Sequence, residues 1–95
     1  MTLLLLAGTG EAQKIARELA MRDIAAVASL AGATRAPAPS GLPTRIGGFG
    51  GDAGFRDYLR KAGITAVLDA THPFAHRIST RTARICNEMG LPYMQ

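Results

Sequence analysis

Residues 3–7, LLLLA, are a continuous apolar run that ends at a glycine, and residues 8–16, GTGEAQKIA, lead from it through two glycines and an acid into an amphipathic pattern. A short apolar run without polar alternation marks a strand buried on both faces, the kind that parallel sheets contain. Such a strand obliges the rest of the chain to supply strands on its edges and helices on its faces. Three readings of the stretch compete: the tail of a signal peptide, a plain buried strand, and a strand leading into a turn that holds phosphate. The first fails, because no basic segment stands before the run, the run is too short, and Glu11 and Lys14 follow at once.

The downstream pattern meets that obligation. Over residues 11–22, Ala12, Ile15, Ala16 and Leu19 fall on one side and Lys14, Arg17 and Glu18 elsewhere, which predicts an amphipathic helix. Residues 24–31, IAAVASLA, predict a second buried strand, so strand, helix and strand fit within the ~30 residues of a βαβ unit. Residues 32–51 hold three prolines and six glycines and predict a loop with one brief strand around residues 44–46. A loop of this length is a candidate binding element as well as a candidate surface connector. Asp52 is the predicted N-cap of a second helix, with Phe55, Leu59 and Ala62 at helical spacing and Gly63 as its stop. Residues 64–70, ITAVLDA, predict a third strand with Asp69 near its carboxyl end. Pro73 suits the first turn of a third helix whose inward face is Ile78, Thr82, Ile85 and Met89, and residues 91–95 predict a last strand.

This order predicts an α/β fold: a Rossmann-like parallel sheet of about four strands with flanking helices and right-handed crossovers. A doubly wound domain ordinarily covers its last strand with another helix, so the expected organisation is a single domain over residues 1–95 that is a fragment of a longer chain. Composition agrees: 47% hydrophobic residues against 19% charged excludes a disordered tail, and the low aromatic content points to thin aliphatic strands under small helix faces. No stretch approaches the ~20 apolar residues of a membrane span. The single cysteine, Cys86, permits no internal disulfide, reads as a small buried hydrophobe, and makes the reducing cytoplasm the expected location. The formal charge of +4 points to an anionic partner, whether nucleic acid, a phosphorylated cofactor or a substrate with several carboxylates. Nucleic acid is disfavoured, for no recognition-helix motif and no interleaved aromatics are present.

In an open parallel sheet, ligands bind outside the carboxyl ends of the strands, and the unusual stretches of this chain fall there. In AGTGEA, residues 7–12, Gly8 and Gly10 permit a tight turn, and the helix start offers free amides and a positive dipole end to a pyrophosphate. The match to G-x-G-x-x-G is imperfect, since Gln13 stands at the third glycine; Ala12 is the substitute small residue, and Glu11 also fits a structural anion at a helix start. No acid occurs between Asp23 and Asp52, where an NAD site would place one. Ser29, Thr34 and Arg35 offer hydroxyls and a fixed charge instead, favouring a dinucleotide with an extra phosphate, with a solvated loop charge as the alternative for Arg35. GGFGG, residues 47–51, either lies flat on a planar ligand or lets Phe49 plug the core.

In DATHPFAHRIS, residues 69–79, Thr71 is placed to cap the third helix and His72 to face the rim of the glycine turn. There His72 serves a cofactor, a proton transfer or local backbone. His72 and His76 lack further ligands for a metal site. Arg77, Arg81 and Arg84 form a stripe that is either a solvated flank or a meeting place for acidic groups. No G-x-S-x-G and no Gly-Lys-Ser/Thr ending is present, which disfavours acyl transfer and ATP hydrolysis.

Taken together, LLLLAGTGEA, SLAGAT, RIGGFGG, ITAVLDATHPFA and GLPY resemble the amino-terminal half of the precorrin-6A reductase family of cobalamin biosynthesis, over almost the whole chain. DATHPFA and RIGGFGG are the specific parts. The resemblance implies an NADPH-dependent oxidoreductase that reduces one double bond of the anionic tetrapyrrole precorrin-6A to give precorrin-6B, with cofactor and macrocycle in a cleft between two α/β domains. This chain alone is then expected to be inactive. It further implies that Gly8, Thr9, Gly10, Glu11 and Ala12 form the phosphate-binding turn, Ser29, Gly32 and Arg35 the adenosine-phosphate end, and Gly48, Thr71 and His72 the rim near the cofactor. Ala7 departs from the glycine common at the first position of the turn. No residue is identified as the proton donor, no metal is expected, and oligomeric state is left open. The alternative function is a non-catalytic dinucleotide-sensing regulatory domain that uses the same turn.

If Arg35 reads the extra phosphate, Arg35→Ala weakens NADPH binding at least about tenfold more than NADH binding. Equal losses for the two dinucleotides, measured by calorimetry, sink that role.

Overall fold

The leucines of the opening run are buried because their strand lies in the middle of a sheet. The computed structural model describes residues 1–30, 41–71 and 76–95. Along the chain run β1 (Thr2–Leu6), α1 (Gly10–Met21), β2 (Ala26–Leu30), β3 (Thr44–Ile46), α2 (Gly51–Lys61), β4 (Ile64–Asp69), α3 (His76–Met89) and β5 (Tyr93–Met94). The sheet order is β3-β2-β1-β4-β5, and every pairing is parallel. β1 pairs Leu5 with Ala28 on one edge and with Leu68 on the other, so its backbone is satisfied on both sides.

The connection β1-α1-β2 steps one way across the sheet, and β3-α2-β4 and β4-α3-β5 step the other. Right-handed crossovers therefore put α1 on one face and α2 with α3 on the opposite face, where those two helices touch. Alternation along β1 divides the core accordingly. Leu4 and Leu6 join Phe55 and Leu59 of α2, Val67 of β4, and Ile85 and Cys86 of α3 in one cluster. Leu5 points the other way, to the face that α1 covers with the buried Ala12 and Ala16. Cys86 is fully buried, as a small hydrophobe should be, and burial pushes its thiol pKa up.

The brief strand expected around residues 44–46 pairs with Ala28 to Leu30 of β2 and makes the sheet five-stranded. Two details differ from the sequence expectation. Asp52 is not an N-cap: the cap is Gly50, whose left-handed backbone (φ +87°) starts α2 two residues earlier and supplies no side-chain bond. Asp52 instead turns outward to Arg84 of α3, 2.6 Å away, and that guanidinium holds its carboxyl below the ordinary value. The predicted second strand also starts late, at Ala26. No helix among the described residues is long and apolar enough to cross a membrane.

β5 has only two paired residues, opposite Val67 and Leu68, and a side chain strengthens the attachment. The Tyr93 hydroxyl donates to Asp69 Oδ2 at 2.6 Å. Burial, then the bond to Asp69 and its charge, raises the phenol well above the ordinary tyrosine value. Burial alone would raise Asp69 as well, but hydrogen bonds from Thr71, Tyr93 and Ser79 outweigh it and hold the carboxyl below the ordinary value. The two signs differ. The lowered Asp69 contributes stability above about pH 4 that is lost as pH falls through its folded value, while the raised Tyr93 contributes stability below about pH 10 that is lost as pH rises. Tyr93→Phe is expected to cost about 2 kcal/mol at pH 7 and to flatten the alkaline decline, read by denaturant unfolding of the complete natural protein across pH. An unchanged midpoint at pH 7 would mean the bond contributes nothing.

Candidate functional site

β1 and β4 lie side by side, yet their chains leave in opposite directions. The crevice opened at such a switch point is where doubly wound sheets bind ligands. A cavity of about 230 Å³ opens there, lined by Leu6 and Ala7 at the end of β1, Ser29 in β2, the backbone of residues 47–51, Thr71 beyond β4, and Arg81 of α3.

The glycine turn follows directly on Ala7, at the edge of this cavity. Gly8 has φ +147°, which lets the chain turn directly off β1 into Thr9, the N-cap of α1. Thr9 Oγ1 accepts from the Ala12 amide at 3.1 Å and donates to the Ala70 carbonyl at 3.0 Å, which ties the turn to the end of β4. With Ala12 bound to Thr9 Oγ1 and Gln13 to the Thr9 carbonyl, the Gly10 and Glu11 amides have no acceptor among the described residues. A Cβ built on Gly10 meets no atom within 4 Å, so the turn is bare beside its two free donors. Ala12 is fully buried under α1, in the packing place a third glycine would fill. Glu11 is exposed in the first turn, where its charge suits the helix dipole.

The loop over residues 47–51 forms one wall of the cavity. Gly47, Gly50 and Gly51 all have positive φ, and a Cβ on Gly54 would overlap the Phe49 carbonyl, so loop and α2 approach at backbone distance. Arg45 holds this loop. Its guanidinium donates to Ser29 Oγ at 2.8 Å, to the Gly47 carbonyl at 3.0 Å and to the Gly48 carbonyl at 3.0 Å, and lies 4.0 Å from the Phe49 ring centroid. Phe49 packs edge-on to Phe55 at 4.7 Å and against Tyr58 at 5.2 Å. The ring therefore plugs the core, and the glycine backbone faces the cavity. Of the two alternatives for GGFGG, the packing of Phe49 into the core is the one observed.

At the end of β4, Asp69 is 6% exposed and accepts from the Thr71 amide at 3.1 Å and the Thr71 hydroxyl at 2.6 Å. Thr71 Oγ1 also lies 3.4 Å from Ser79 Oγ. Of the expected site residues, Ser29, Gly48 and Thr71 line the cavity, and the turn of Gly8, Thr9, Gly10 and Glu11 follows Ala7 at its edge, tied to the end of β4 through Thr9 and Ala70. Gly32, Thr34, Arg35, His72 and the helix start that Thr71 was expected to cap lie outside the described residues. Of the arginine stripe, Arg84 meets acidic groups, at Asp52 and at Glu88. No group of three or more His, Cys, Asp or Glu that could hold a metal occurs among the described residues.

A sequence profile of the family described as precorrin-6x reductase CbiJ/CobK matches residues 2–95. The chain belongs to that family. It is 51% identical over 89 residues to a precorrin-6A reductase of Rhodobacter capsulatus, covering 94% of this chain and 36% of that protein. Against the precorrin-6A reductase of Mycobacterium tuberculosis it is 50% identical over 91 residues, covering 96% and 37%. A solved structure titled CobK precorrin-6A reductase superposes with a TM-score of 0.92 at 48% identity, covering 98% of this chain and 37% of that one. The chain therefore spans little more than a third of the precorrin-6x reductases it matches, and the resemblance read from DATHPFA and RIGGFGG is borne out.

Two residues that build this reductase-family crevice were not singled out from sequence. Arg45 was visible only as the first letter of RIGGFGG; its cue was a cation in a brief strand, four residues before an aromatic. Asp69 was noted only for its place near the end of a strand, although an acid in an apolar run demands hydrogen-bond partners.

Gly10→Ala separates ligand approach from folding. Gly10 is helical with open space at its Cβ, so alanine leaves thermal stability unchanged or slightly higher, yet a phosphate contacting the turn loses at least about tenfold in affinity. Unchanged dinucleotide affinity, measured calorimetrically, would remove the turn from the binding site.

Proposed function

We propose that this chain is the cofactor-binding portion of an NADPH-dependent precorrin-6A reductase, an oxidoreductase of cobalamin biosynthesis that reduces one double bond of the macrocycle to give precorrin-6B. The observation that carries the reading is the pair of free amides on Gly10 and Glu11, at a bare turn beside the switch-point cavity, in a chain of this family.

The residues fit a dinucleotide. Gly10 and Glu11 donate their amides to pyrophosphate oxygens, with the start of α1 adding its positive dipole end. The Thr9 bridge to Ala70 keeps that turn at a fixed distance from the end of β4. Ser29, whose oxygen already accepts from Arg45, retains its own proton to donate, and with Gly32 and Arg35 it belongs to the adenosine-phosphate end. Gly48 and its neighbours offer flat backbone at the rim, held in shape by Arg45; Thr71 and His72 complete that rim. When bound, NADPH supplies the hydride. The basic balance of the chain suits a substrate bearing several carboxylates.

The test is a calorimetric titration of the complete natural protein with NADPH and with NADH at one salt concentration, followed by turnover of precorrin-6A. A preference for NADPH of about tenfold, or 1.4 kcal/mol, is expected. Equal affinities overturn the assignment of the phosphorylated cofactor, and no binding of either overturns the dinucleotide reading altogether.

A further inference from the structure

Arg81 lines two hollows at once. One is the switch-point cavity; the other is a second cavity of about 330 Å³ on α3, bounded by His76, Arg77, Thr80, Arg81 and Arg84. The three arginines of α3 have different fates. Arg84 is held by Asp52 at 2.6 Å and Glu88 at 3.6 Å. Arg77 and Arg81 have no carboxylate within salt-bridge distance among the described residues.

Arg81 is the more constrained of those two. Its guanidinium carbon sits 5.3 Å from the Phe55 ring centroid, which fixes the side chain against the core. Its Nε is buried and has no hydrogen-bond partner among the described residues. A guanidinium N–H withdrawn from water without an acceptor is costly, and native structures seldom keep one without a use. Arg45 shows the contrast within the same molecule, since its guanidinium is spent on one hydroxyl and two carbonyls.

We propose that Arg81 anchors an oxyanion of the ligand seated in the switch-point cavity through its guanidinium fork, with Arg77, in the adjoining hollow, adding positive charge. A planar guanidinium edge matches the two oxygens of a carboxylate or a phosphate group. The inference rests on the preceding functional reading, under which two molecules could bring that group: the dinucleotide through a phosphate, or the macrocycle through a carboxylate.

The experiment uses the complete natural protein as wild type, Arg81→Gln, Arg81→Lys and, as a control for net charge, Arg22→Gln at the exposed C-cap of α1. Equilibrium binding of NADPH is followed by calorimetry and, separately, binding of precorrin-6A by its own absorbance. Arg81→Gln is expected to weaken one of the two at least about tenfold more than Arg22→Gln does, with Arg81→Lys in between, because charge is kept while the fork is lost. Loss confined to NADPH identifies a phosphate as the partner, and loss confined to precorrin-6A identifies a carboxylate. The thermal midpoint is expected to hold or rise, since the substitution removes an unpartnered buried group. Affinities within about twofold of wild type for both ligands overturn the proposal, whatever the midpoint does, as does a loss that Arg22→Gln reproduces. Failure of the wild type to bind NADPH would overturn the cofactor reading alone, and the precorrin-6A titration would then decide the role of Arg81.

Discussion

Parallel pairing of β1 on both of its edges is the constraint from which the rest follows. A strand with no polar side chain between Leu3 and Leu6 must be covered on both faces, and parallel neighbours on both edges can be reached only by crossovers. One crossover returns through α1 to β2, and the later ones arrive at β4 from the other side. The switch point is thus a consequence of where β1 sits. The Thr9 hydroxyl then joins the two strand ends that the switch separates, through the Ala12 amide on its own helix and the Ala70 carbonyl after β4. One side chain caps α1 and sets the width of the crevice.

The crevice is shaped mostly by backbone, and polar side chains hold that backbone from behind. Arg45 grips the loop at the Gly47 and Gly48 carbonyls and leans on Phe49, whose ring is in turn fixed by Phe55 and Tyr58. Gly54 lets the whole assembly sit on α2. Glycines with positive φ would by themselves cost order on folding. Here the aromatic cluster and the arginine supply that order, so the loop presents a defined surface. The surface ion pairs between α2 and α3, Asp52 with Arg84 and Arg56 with Glu88, contribute little by comparison because they are solvent-screened.

What was legible in the sequence was whatever a local pattern encodes. The runs of β1 and β4, the helical spacing of α1 and α3, and the glycine turn all show within a window of a few residues. β3 was visible only as a brief break in a proline and glycine stretch, since three residues carry almost no periodicity. Asp52 looked like an N-cap by residue type; the glycine at position 50 took that place because the approach to α2 needs a left-handed residue, a matter of tertiary geometry. The bonds from Arg45 to Ser29 and from Tyr93 to Asp69 join residues from different strands, and no local rule pairs them. In the two motifs that carried the family, Arg45 of RIGGFGG and Asp69 of DATHPFA are the residues that make these long-range contacts.

The electrostatics of the crevice divide the labour of the proposed reaction. A donor that completes hydride addition by giving up a proton works best with a pKa near the working pH. Asp69, beside the cavity, is held ionised by Thr71 and Tyr93, so at neutral pH it has no proton to give. Tyr93 keeps its proton because burial and that same carboxylate raise its pKa, and the bond orients the hydroxyl at Asp69 and away from any ligand. Cys86 is sealed in the core with its pKa raised too. Each of these groups is tuned away from proton transfer by the interactions that stabilise the sheet end. Asp69 and Tyr93 therefore act as structure under the rim, and under the proposed reaction none of these three groups is tuned to serve as the proton donor.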